Sequence, residues 1–168
     1  MITNITVKAS GNALDKVLEM LKAPDRILQP LAEIAAEEAG QRFANAQYDG
    51  TNDVRVTTEV SDTEARTVAT GTAATFIEFG TGIYYNGWEN YPGERPAGVA
   101  GIGQYGKGHG KQETWTYSGD PGTDGVLKRS QSGKVYVRTH GNPPAAAMYY
   151  GAQLAKENIK NVIMEAIK

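Results

Sequence analysis

Thirteen of the chain's twenty glycines fall between Gly82 and Gly133, together with Pro92, Pro96 and Pro121. No other feature restricts the fold as strongly. The centre of this segment, AGVAGIGQYGKGHGKQ, holds too little apolar surface to fold alone. A loop of such length inside a compact domain is uncommon, and is as a rule functional or disordered. Glu113 to Tyr117 (ETWTY) and Lys134 to Arg138 (KVYVR) read as two strands. They can pair as a hairpin whose long tip runs from Gly119 to Ser132.

Regular structure is legible on either side. Ile2 to Lys8 alternates and reads as a short edge strand. Leu14, Val17, Leu18 and Leu21 stand at helical spacing, which predicts a short amphipathic helix from Ala13 to Lys22. A second helix is expected from Asp25 to Ala46, with Ile27, Leu28, Leu31, Ile34, Ala35, Ala39 and Phe43 as its apolar stripe. Pro30 conflicts with that helix unless it lies in the first turn or the helix begins there. Val54 to Val60 and Glu64 to Thr70 read as a β-hairpin closed through Ser61-Asp62-Thr63. After His140-Gly141-Asn142-Pro143-Pro144, a helix of about 22 residues is expected. Its stripe is Met148, Ala152, Ala155, Ile159, Val162 and Ala166, and Pro144 stands near its N-terminus.

Composition narrows the function classes. The 168 residues suggest one domain, and 40% hydrophobic content is enough for a modest core. A net charge of −2 gives no reason to expect a nucleic-acid or anionic-membrane partner. Without cysteine there is no disulfide and no thiolate chemistry. No apolar run is long enough to span a membrane, and MITNITVKAS lacks the apolar stretch of a secretory signal.

Several motifs match by letter only. Gly101 to Gly106 spells GxGxxG, and Gly101 to Lys107 spells GxxxxGK. Phosphate binding by either pattern needs a strand before it and a helix after it. Gly108-His109-Gly110-Lys111 is hostile to a helix. The two histidines, His109 and His140, form no HExxH, and no GxSxG is present. No metal, cofactor or catalytic set is therefore expected.

FIEFGTGIYYNGW, Phe76 to Trp88, is the remaining concentration of chemistry. Glu78 could act as a general acid between Phe76 and Phe79, because apolar neighbours raise a carboxyl pKa. Far more often such a glutamate pairs with a base across a sheet or an interface. The reading adopted is that another protein covers the stretch. Phe76, Ile77, Glu78 and Phe79 would supply its apolar part and its acid. Gly80, Thr81 and Gly82 would make the turn, and Tyr84, Tyr85 and Trp88 belong to types enriched at interface hot spots.

The order of parts resembles a known family. An EFGTG segment (Ile77-Glu78-Phe79-Gly80-Thr81-Gly82) follows a hairpin, and a Gly-x-Pro-Pro entry (Gly141-Asn142-Pro143-Pro144) leads into a terminal helix. This is similar to the small neck, or tail-completion, proteins of long-tailed bacteriophages and prophages. The likeness covers roughly Ile5 to Gly82 and Lys134 to Ile167. It departs after Pro144, where alanines and Met148 replace the expected proline and phenylalanine.

The resemblance implies an α+β fold, with a twisted antiparallel sheet and helices packed on one face. It implies a non-enzymatic virion protein, assembled in the bacterial cytoplasm, that completes the tail and helps join it to the head. The expected partners are further copies in a ring such as a hexamer, the phage connector and tail proteins, and DNA passing through without sequence-specific binding. No membrane is involved. A ring of identical subunits needs heterologous contacts, and the Gly82–Gly133 insertion would become ordered on assembly. The alternatives are a tail terminator or other connector ring, a carbohydrate-binding or host-recognition module using Trp88, Trp115 and tyrosines, and a hydrolase with Glu78 as acid.

Overall fold

The computed structural model describes residues 12–82, 84, 91–94 and 113–167, with side chains from Asp15 onward. The expected strand at Ile2 to Lys8 lies outside the described residues, as does the whole glycine-rich centre. Helix α1 (Asn12–Lys22) leads through Ala23 and Pro24 into α2 (Asp25–Ala44). Strands β1 (Arg55–Val60) and β2 (Ala65–Thr70) follow, then a short helix α3 (Ala74–Phe79). Strands β3 (Trp115–Tyr117), β4 (Val126–Arg129) and β5 (Val135–Thr139) precede the terminal helix α4 (Ala147–Ala166). The class is α+β, with a long C-terminal helix and N-terminal helices.

Helix α2 is the central element. It lies against α4 and also against β1 and β2. Its buried line is Ala32, Ala35, Ala39 and Phe43, while Ile27, Leu28, Leu31 and Ile34 are only half-buried. Small residues there let α4 approach closely. Gly151 sits over α2, and a Cβ on it would overlap the Ala35 carbonyl oxygen. The α4 face is accordingly rotated from the expected stripe. Ala147 and Gly151 are buried, whereas Ala152 is exposed.

Pro30 stands inside α2, in its second turn, with Pro24 at the N-cap. It is neither in the first turn nor at the start. The ring removes the amide that would bond to Arg26. Arg26 is an exposed residue, where water can satisfy the carbonyl, and burial of Ala35, Ala39 and Phe43 holds the rest of the helix. The C-terminal end is tied down by Asn52, whose Nδ2 donates to the Phe43 carbonyl at 2.8 Å.

β1 and β2 pair antiparallel from Arg55↔Thr70 to Val60↔Ala65, as the alternation predicts. Thr67 Oγ1 donates to the Ala32 carbonyl at 3.1 Å and fastens this hairpin to α2. The other strands form a separate three-stranded sheet in the order β3-β5-β4. ETWTY and KVYVR do pair, through Trp115↔Thr139 and Tyr117↔Val137. The expected loop between them is not all loop. Val126 to Arg129 forms β4 on the far side of β5. Every residue of β4 is exposed, so its sequence carries no alternation of burial, and only pairing makes it a strand.

The core lies where these parts meet. Ala39, Phe43, Ala73, Ile77 and Ala147 are buried together, with Tyr48, Val54, Val56, Ala69 and Met148 packed around them.

Candidate functional site

FIEFGTG does not form an exposed surface. Ala74 to Phe79 is helical, and Ile77, Glu78 and Phe79 are buried within the chain itself. Gly80, Thr81 and Gly82 are buried as well. Phe76 and Tyr84 are half-buried, and Tyr85 and Trp88 lie outside the described residues. Ile77 to Gly82 therefore build the subunit itself and are not a surface for another protein, which corrects that part of the expectation. Its partner is the other motif of the sequence, Gly141-Asn142-Pro143-Pro144. Thr81 N donates to the Asn142 carbonyl at 2.9 Å, and Asn142 N donates to Thr81 Oγ1 at 2.9 Å. Ala145 N and Ala146 N continue the contact, donating to the carbonyls of Ile77 (2.8 Å) and Glu78 (3.1 Å). These last bonds satisfy carbonyls at the C-terminal end of α3, which has no following turn to accept from.

Glu78 completes the junction. Its Oε2 accepts from Met148 N at 2.9 Å, and its Oε1 accepts from Tyr149 N at 3.2 Å and from the Tyr91 hydroxyl at 3.0 Å. Met148 and Tyr149 are the second and third residues of α4. Helices normally receive such a bond from the residue at the N-cap. Here that residue is Ala146, which has no side-chain acceptor and adopts a left-handed conformation at φ 48. Glu78 supplies the missing oxygens from a distant part of the chain, and a carboxylate at a helix N-terminus also faces the positive end of the dipole. Among the described residues no lysine or arginine pairs with Glu78, and its partners there are these three neutral donors. Pro144 stands just before this N-terminus, since α4 begins at Ala147. Tyr91 is held in place by Phe79, with ring centroids 4.9 Å apart, and faces Tyr149 at 6.2 Å.

A second site opens beside this junction. Gly82 takes φ 60 and is packed so closely that a Cβ would overlap the Trp115 ring and the His140 carbonyl oxygen. Only glycine combines that conformation with that approach. The contact sets Trp115 along one wall of a cleft of about 480 Å³, which Tyr48, Asp49, Gly50, Thr81, Thr116, Tyr117, Thr139 and Asn142 also line. At its floor, Asp49 N donates to Asn142 Oδ1 at 3.0 Å. The buried Asp49 carboxylate accepts from Asp124 N at 2.8 Å and from the Thr139 hydroxyl. Thr139 Oγ1 accepts in turn from Gly141 N at 2.9 Å. Tyr48 closes the loop, because its carbonyl accepts from Thr123 N at 2.9 Å and its amide donates to Thr123 Oγ1 at 3.2 Å.

Two features of this floor are unusual. Asn142 is 2% exposed, and its Nδ2 has no hydrogen-bond partner among the described residues. Leaving a buried donor unpaired costs about 1–3 kcal/mol, and such groups are few in native proteins. Among the described residues Asp49 is bonded to neutral donors alone. The ion pairs among the described residues are Lys22–Glu19, Arg42–Glu38 and Arg66–Glu64, all elsewhere. The negative charge is felt by its neighbours. Burial first, and then Asp49 with Tyr48 and Asp120, push the Tyr117 phenol up to about 12. Burial, Asp53 and Asp49 raise that of Tyr48.

The sequence did not point to Asp49, and it marked Asn142 only as part of the Gly141–Pro144 segment. Each stands in a run of turn-forming residues, Tyr48 to Asn52 and His140 to Pro144, where aspartate and asparagine are expected for local reasons. His140 is exposed, with its ring 6.1 Å from that of Tyr84, and His109 is outside the described residues. Among the described residues no group of three His, Cys, Asp or Glu could hold a metal ion, and no helix is long and apolar enough to cross a membrane.

Compared with known proteins, the chain matches no family model, no curated protein and no solved structure.

Proposed function

We propose that this chain is a non-enzymatic structural subunit of a phage neck, completing the tail end as part of a ring that joins tail to head. The observation that carries this reading is the docking of its two motif segments. EFGTG and Gly-Asn-Pro-Pro lie far apart in sequence, and both are features by which the chain resembles the neck family. In the fold they bond to each other through Thr81 and Asn142, and Glu78 of the first caps the helix that follows the second. A glutamate whose oxygens receive two helix amides and a tyrosine hydroxyl is suited to fixing an element and poorly suited to proton transfer. This favours a building role over a hydrolase.

The motif then serves the ring by shaping the subunit. Contacts between copies fall to other surfaces, and β4–β5 offers one in its exposed Val126, Leu127 and Val135. A tail terminator or another connector ring would use the same architecture. The test is genetic. A stop codon in this gene, within the phage or prophage genome that carries it, should leave unjoined heads and tails under the electron microscope, restored by the gene in trans. Joined, infectious particles from the mutant would overturn the proposal.

A further inference from the structure

We propose that the cleft beneath Trp115 is a docking site for an arginine side chain presented by an extended segment of another protein chain. The guanidinium would face the Asp49 carboxylate between the aromatic walls, and a main-chain carbonyl of the same segment would accept from Asn142 Nδ2. The inference stands apart from the neck reading, because it rests on the cleft alone.

Three observations carry it. The first is charge. Asp49 lines the cleft, is buried, and meets no cation among the described residues. No lysine or arginine is among the described residues that line the cleft, and the acids Asp120 and Asp124 lie next to it, with Thr51 Oγ1 donating to Asp120 at 3.4 Å and Asp124 N bonded to Asp49. A buried carboxylate favours an incoming cation. The second is shape and surface. Trp115, Tyr117 and Tyr48 give aromatic walls, and a planar guanidinium stacks on such faces while its edge donates to a carboxylate. The third is the unpaired amide. Asn142 Oδ1 is committed to Asp49 N, so Nδ2 is the group left to donate.

The same features argue against other occupants. A sugar could stack on the rings and accept from the amide, but would leave the Asp49 charge uncompensated. An ammonium group would meet the charge, but it lacks the flat face that the aromatic walls suit. The strand that carries Trp115 and Tyr117 is also an edge of its sheet, since β3 pairs with β5 alone among the described strands. An edge strand is where an extended chain can lie alongside.

The test is a titration of the isotope-labelled protein followed by NMR, reading the Trp115 indole N–H and the Asn142 side-chain amide. The probes are N-acetyl-arginine amide, its neutral isostere N-acetyl-citrulline amide, and a short glucose oligomer. The arginine compound is expected to move both signals saturably, with the citrulline compound at least about ten-fold weaker, a ratio worth about 1.4 kcal/mol. Equal binding of the two, movement by the sugar alone, or no movement by any probe would overturn the proposal. Asp49→Asn is expected to abolish the arginine response. Should that variant fail to fold, the arginine and citrulline comparison on the native chain decides alone.

Discussion

Replacing Glu78 measures how far the terminal helix depends on a cap delivered from another part of the chain. In Glu78→Ala, Met148 N and Tyr149 N lose their acceptor, and so does the Tyr91 hydroxyl. Loss of an N-cap costs about 1 kcal/mol. A partly buried donor left without a partner adds about 1 kcal/mol, the low end of its range. The void left by a side chain only 5% exposed adds about 1 kcal/mol more. The expected destabilisation is therefore about 3 kcal/mol, a large part of the ~5–15 kcal/mol that holds a domain together. Glu78→Gln keeps one oxygen toward the helix amides and fills the space. It loses the charge at the helix N-terminus, worth about 0.3–1 kcal/mol, and turns an amide group toward one of the three donors. About 1.5 kcal/mol is expected. Urea unfolding followed by circular dichroism reads both values, with an unchanged slope showing that the native and unfolded states are comparable. If the alanine variant loses less than about 1 kcal/mol, or if glutamine costs as much as alanine, the remote-cap account fails.

Three other perturbations probe the frame around both sites. Gly151→Leu should force α2 and α4 apart at Ala35 and cost about 2–3 kcal/mol in urea unfolding, at the upper end for overpacking; a neutral result would mean that the helices are not in close contact there. Gly82→Ala combines a left-handed conformation, costing about 1–2 kcal/mol, with overlap on Trp115, so it should lower stability by more than about 2 kcal/mol and change Trp115 fluorescence. Asp53 accepts from Ala73 N (2.9 Å), Thr72 N (2.9 Å) and the Thr72 hydroxyl (2.7 Å), which lower its carboxyl pKa from 3.8 to about 2. The folded state thus favours the ionised form. Its contribution is complete above the unfolded value and is lost as pH falls from there toward about 2. Asp53→Asn should flatten the acid limb of the stability profile; an unchanged limb would remove Asp53 as its source.

The parts that the sequence determined are those whose burial repeats along the chain. α2 and α4 could be located because apolar residues recur with the helical period, and β1–β2 because alternation on both arms met a turn between them. Pairing of ETWTY with KVYVR was legible for the same reason. The two motifs, Ile77 to Gly82 and Gly141 to Pro144, stood out through the family resemblance and not through a local rule. Everything that depends on a partner distant in sequence was decided by tertiary structure. β4 is exposed along its whole length and exists only by bonding to β5. Ala74 to Phe79 is too short to display a helical period, and carbonyls at its C-terminal end are satisfied by Ala145 and Ala146. Pro30 is carried inside α2 by burial elsewhere on the helix. Glu78 becomes a cap, and Asp49 and Asn142 become the floor of a cleft, only once the chain closes and brings them to donors and acceptors that no local window contains. A repeating pattern records which face is buried. The identity of a polar group's partner is set by the geometry of the closed chain.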